Sequence, residues 1–222
     1  MKSLLKKDFI TSRYIYTIAI LIVGIILCFA SIYSFEVTFM IYLLGTFMVP
    51  LMANKFTATD EMRRNYDTII NSFPVKRRDV VLSKFIYYLI SYILCSLILL
   101  LIVFIVGNFN EEQVSMIYII QSLSFIYYCL IIGATNFIYY RYDYSAASKY
   151  SLVIMMSIIY VPIIILKFVD KINPNIFIKV TNYLLESTVH GIYLAISIGL
   201  LGIFIYVLFI VLSIIGYRKR DL

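Results

Sequence analysis

The chain has 222 residues, of which 63% are hydrophobic and only 14% charged. A soluble domain is nearer half apolar, so this much apolar side chain cannot be hidden in one water-exposed fold, and the solvent must be lipid. A bilayer core of about 30 Å takes a helix of roughly 20 apolar residues, so the chain holds several spans and has no room for a soluble catalytic domain. The balance is basic, with 19 Lys plus Arg against 12 Asp plus Glu. In such a chain the charges are read first by where they fall relative to the spans.

Residues 1–13 come first. Met1, Leu4, Leu5 and Phe9 fall on one side of a helix and Lys2, Lys6 and Lys7 on the other, with Asp8 interrupting the apolar side. This pattern predicts an amphipathic helix lying on the inner membrane surface, its lysines toward anionic headgroups. An apolar run over 14–33 follows. It is longer than the 7 to 15 residues of a secretory signal core, so it reads as a retained first span.

Further apolar runs cover 37–54, 85–106, 114–140, 150–168 and 191–216. Together they predict an all-α integral membrane protein, a single transmembrane domain over 1–222 with six transmembrane helices. Pro50 sits near the end of the second run, and the fourth is longer than a span needs. Positive charge alternates between the connections. Sixteen of the nineteen Lys and Arg residues fall on one side if both termini are cytoplasmic, and only Lys167, Lys171 and Lys179 on the other. The positive-inside rule then puts both ends inside, which agrees with an even number of spans. Tyr139, Tyr140, Tyr142, Tyr144 and Tyr150 gather at one inner boundary, where amphipathic rings are favoured.

The stretch between the second and third spans is more than a loop. Met62, Tyr66, Ile69, Ile70 and Phe73 repeat at helical spacing, so a short cytoplasmic helix is predicted. Thr59 is its expected N-cap, and Asp60 and Glu61 suit the positive end of the helix dipole. Arg63, Arg64, Asp67 and Asn71 form the polar side. Pro74 ends the helix by pushing Phe73 out of the helical region, and a new helix is expected from near Arg77. The short helix is either a docking surface or a membrane-surface helix with no partner. Between the fifth and sixth spans, Ile176, Phe177, Val180, Tyr183, Leu184 and Leu185 follow Pro174 at helical spacing and predict short outer helices.

Chemistry-bearing motifs are sparse. No G-x-x-x-x-G-K-[ST] stretch is present, so this chain has no P-loop of its own. A single histidine, His190, cannot build a zinc site, and Cys28, Cys95 and Cys129 have no metal-ligand spacing. No enzymatic activity, catalytic residue, metal or cofactor is therefore expected. In the fourth span Gln121, Ser124, Tyr128, Thr135 and Asn136 lie roughly on one face. They either line a translocation path or act as hydrogen-bond glue between helices.

Three stretches together carry a resemblance. "MKSLLKKDF", "TDEMRRNYDTIINS" and "NSFPVKRRDVVLSKFI" resemble the opening helix, the coupling helix and the apolar-Pro-basic lead-in to the third span of ABC-2 type permeases. The resemblance covers nearly the whole chain. The richness in Ile, Lys, Asn and Tyr suggests an AT-rich Gram-positive bacterium, and among relatives the chain looks like the permeases of staphylococcal exporters of phenol-soluble modulins. It implies a multi-pass protein of the bacterial cell membrane exporting amphipathic or hydrophobic peptides. It also implies two ABC ATPase subunits on separate chains, which would hold the ATP and Mg, and a second permease in a dimer or heterodimer; no nucleic acid partner is implied. Asp60, Glu61, Met62, Arg63, Arg64, Tyr66, Asp67, Ile69, Ile70, Phe73 and Pro74 are the ATPase-coupling surface on this reading. The alternative is a non-transporting membrane immunity or sensor protein for a toxic peptide.

Overall fold

The computed structural model describes residues 2–63, 76–107, 111–142, 144–172 and 188–219. These form six helices: α1 (Lys2–Tyr33), α2 (Phe35–Arg63), α3 (Arg77–Val106), α4 (Glu111–Arg141), α5 (Tyr144–Ile172) and α6 (Thr188–Arg218). Five of them are long and apolar enough to cross a membrane, and in α5 the apolar stretch among the described residues is Ala146–Ile158. Each helix has between 29 and 32 residues. At 1.5 Å per residue that is about 45 Å, well beyond a hydrocarbon core of about 30 Å. The helices therefore run further than the apolar runs that seed them.

The expected surface helix over 1–13 is not a separate element, because α1 continues unbroken from Lys2 to Tyr33. No proline or glycine interrupts it before Gly24, and Ser12 bonds its hydroxyl back to the Asp8 carbonyl at 2.9 Å. Asp8 does not spoil an apolar face. It is 1% exposed and turned into the protein, where Lys84 of α3 meets it. Lys84, one of the sixteen positive charges counted on one side, is only 6% exposed.

The first connection is a single residue. Ser34 separates α1 from α2, and its hydroxyl oxygen accepts from the Val37 amide at 3.3 Å, which caps α2. Helix α2 then passes through Pro50 and on to Arg63. A transmembrane helix tolerates the missing amide when neighbouring helices enclose it, and Pro50 is buried. Thr59 is accordingly not an N-cap. It sits inside α2 and donates its hydroxyl to the Phe56 carbonyl at 2.8 Å. Helix α3 starts at Arg77 after an extended Lys76, with Asp79 in the first turn favouring the dipole. It stops at Gly107, whose amide bonds the Val103 carbonyl at 3.0 Å.

Helix α3 packs against α1, α2 and α6, while α4 packs against α2, α5 and α6. The tightest seam joins α4 to α6. A Cβ on Gly133 would lie 2.3 Å from the Phe209 ring, and one on Gly202 would lie 2.8 Å from the Phe125 ring. Each helix thus gives a glycine to the other's phenylalanine, the small-residue packing that lets membrane helices approach closely. Outward faces of α1 and α6 carry exposed Leu21, Phe29, Leu200 and Phe204, as lipid contact requires.

Candidate functional site

Helices α2 and α3 bracket the segment the sequence marks for coupling. Asp60, Glu61, Met62 and Arg63 continue α2 as its last turn. Arg64, Tyr66, Asp67, Ile69, Ile70, Phe73 and Pro74 lie outside the described residues, as do the expected short outer helices between α5 and α6. The segment between Arg63 and Arg77 is therefore anchored at each end to a long helix.

The start of α3 is tied on two sides. Lys84 Nζ donates to Asp8 Oδ1 at 3.0 Å, joining α3 to α1. Arg77 donates to the Tyr217 carbonyl at 3.1 Å and its guanidinium stands 5.5 Å from the centre of the Tyr217 ring, joining α3 to α6. Next to Lys84 in α3, the Phe85 carbonyl accepts from Tyr206 of α6. Around these ties Val80, Val81, Phe85, Tyr140 and Tyr217 form an apolar cluster.

Deeper in the bundle a second set of polar groups crosses between helices. Asn54 of α2 donates to the Tyr128 hydroxyl at 2.8 Å, and Tyr128 donates to the Tyr88 carbonyl at 2.8 Å. Tyr42 donates to Gln121 Oε1, and Gln121 Nε2 donates to Tyr92 at 3.3 Å. Tyr92 and Ser124 share a hydrogen bond of 2.6 Å, and the Tyr92 and Tyr128 rings stack at 4.7 Å. Gln121, Ser124 and Tyr128 are thus brought together as cross-helix partners of α2 and α3. Asn54, Tyr42 and Tyr92, which complete the set, were missed in the sequence. Only their amphipathic type within apolar runs signals them, and many tyrosines of this chain share that signal.

Thr135 and Asn136 do something else. Both bond back to their own helix, Thr135 to the Ile131 carbonyl at 2.7 Å and Asn136 to the Ile132 carbonyl at 2.8 Å. They line a half-open cavity of about 210 Å³ between α2, α3, α4 and α5. Lys55 of α2 and Lys84 of α3 stand on its wall, with Ser151 and Leu152 of α5 opposite. It lies at the end of the bundle where α2 and α4 finish and α3 and α5 begin, the end that carries most of the positive charge.

The family model of the ABC-2 family transporter proteins matches residues 3–218. The chain belongs to the ABC-2 transporter family. Neither the comparison with curated proteins nor that with solved structures gives a match. Family membership together with the long apolar helices makes this a multi-pass membrane permease component of an ABC exporter. The family's permeases work in association with an ABC ATPase subunit.

Proposed function

We propose that this permease is a six-span half-transporter of a bacterial cell membrane, with both termini inside. It would export amphipathic or hydrophobic peptides such as cytolytic modulins. A second permease copy or homologue completes the path, and separate ATPase subunits bind and hydrolyse ATP. The observation that carries the coupling part of this reading is the unbroken course of α2 to Arg63, with α3 restarting at Arg77. A partner pressing on the segment between them pushes on two spans at once. The partition of positive charge supports the orientation.

The test is purification from the native membrane, followed by reconstitution with any ABC ATPase recovered. Co-purification is expected, with ATP-dependent uptake of a fluorescent amphipathic peptide into inverted vesicles. Replacing Arg63, Arg64 and Asp67 together by Ala should lower uptake about tenfold, within the usual range of coupling energies, while membrane insertion stays normal. Unchanged ATPase binding and uptake in the triple variant would sink the coupling assignment. Failure to recover any ATPase would instead favour an immunity or sensor protein.

A further inference from the structure

We propose that the cavity between α2 and α5 holds the phosphate-bearing headgroup of an anionic phospholipid. The inference goes beyond the export reading and does not depend on it. Of the two lysines on the cavity wall, Lys84 is already neutralised by Asp8. Lys55 is exposed and, among the described residues, makes no ion pair. Among the described lining residues the cavity therefore carries one surplus positive charge, placed where basic pockets between membrane helices take anionic headgroups.

The rest of the lining fits a headgroup with hydroxyls. Thr135 and Ser151 spend their hydrogens on their own helices, bonding the Ile131 carbonyl at 2.7 Å and the Ser148 carbonyl at 2.9 Å. Their remaining lone pairs suit a donor, such as a glycerol hydroxyl, while Lys55 suits the phosphate. Leu51 and Leu152 continue the wall as apolar surface, and Leu152 is 62% exposed, so an acyl chain has a way out.

Native mass spectrometry of the full chain tests this, with phosphatidylglycerol, phosphatidylcholine and soluble glycerol 3-phosphate as separate probes. Phosphatidylglycerol should be retained about fivefold better than phosphatidylcholine, the worth of one lysine near an anionic surface. Lys55→Gln should abolish that preference, and Lys149→Gln, an exposed lysine outside the cavity, should keep it. Ser151→Phe, which fills the space and retains Lys55, should also lose the lipid. A thermal melt of each variant confirms that it is folded. Equal loss in the Lys55 and Lys149 variants, no headgroup preference, or retention in Ser151→Phe overturns the proposal. Glycerol 3-phosphate binding as tightly as the lipid overturns it as well, since the site would then be one for free phosphates.

Discussion

Lys84 at the start of α3 and Asp8 near the start of α1 form an ion pair of 3.0 Å, with side chains only 7% and 2% exposed. Seventy-six positions apart in sequence, they fix the first helix against the third. A buried pair of this kind adds little over a well-packed apolar pair, but losing one partner strands a charge, which typically costs about 3–5 kcal/mol. Asp8→Asn and Lys84→Met should each lower the melting temperature sharply. Asp8→Leu combined with Lys84→Met should recover most of the loss. Thermal melts in detergent decide it, and equal melting of single and double variants would refute the pairing.

The α4–α6 seam gives a second prediction. Gly133→Ala places a methyl against Phe209, whose ring and Cβ lie 2.3 to 2.9 Å from it. The Cβ of Phe209 cannot swing aside as a side-chain tip can, so overpacking of about 1–3 kcal/mol is expected. Gly133→Ala with Phe209→Ala, which removes the ring atoms at 2.3 and 2.5 Å, should cost less than the sum of the two single variants. Gly199, where a Cβ meets nothing within 4 Å, should accept Ala with no loss.

Removing one hydroxyl tests the cross-helix set. Tyr128→Phe takes away the acceptor of Asn54 and the donor to the Tyr88 carbonyl. Interhelical hydrogen bonds in membranes are worth about 0.6 kcal/mol on average and up to about 1.7. Since Tyr128 makes two, a loss of about 1–2 kcal/mol is expected in a denaturation series. A loss no larger than that of Tyr160→Phe, an exposed tyrosine, would show that the set contributes nothing.

Thiol labelling reads the packing directly. Cys28 is exposed, whereas Cys95 and Cys129 are buried. In detergent, a lipid-soluble maleimide should modify Cys28 in the folded protein and reach Cys95 and Cys129 only on unfolding. Mass mapping of early labelling at Cys95 would contradict the burial of α3.

Breaking α2 near its end tests its continuity. Thr59→Pro removes the amide bond to the Lys55 carbonyl inside a continuous helix, at a cost of about 3 kcal/mol. On the proposed coupling, the variant should still insert and bind an ATPase, yet lose ATP-driven transport. Normal uptake would mean that the unbroken helix is not what transmits the movement.

Apolar runs made the helices legible in the sequence, because lipid imposes a simple rule on length and hydropathy. The start of α3 was legible too, from Pro74 and the basic run after it. Helix ends were not. Thr59 looked like a cap because Asp60 and Glu61 follow it, but helix α2 was already in progress and the hydroxyl turned back to Phe56. Asp8 was read as a defect in an amphipathic face. Its meaning depends on Lys84, and no local pattern connects residues on different helices. Of the face over Gln121 to Asn136, spacing alone could not separate Gln121, Ser124 and Tyr128, which bridge helices, from Thr135 and Asn136, which border a cavity.

The single residue between α1 and α2 has a mechanical consequence. With only Ser34 as slack, the adjoining ends of these helices are fastened together like the rivet of a pair of tongs. Any spreading of the two must be greatest at their far ends, where Asp8 grips α3 and α2 runs out to Arg63. A small push at Arg63 then needs little rearrangement at the rivet, and the work is done against the Asp8 grip.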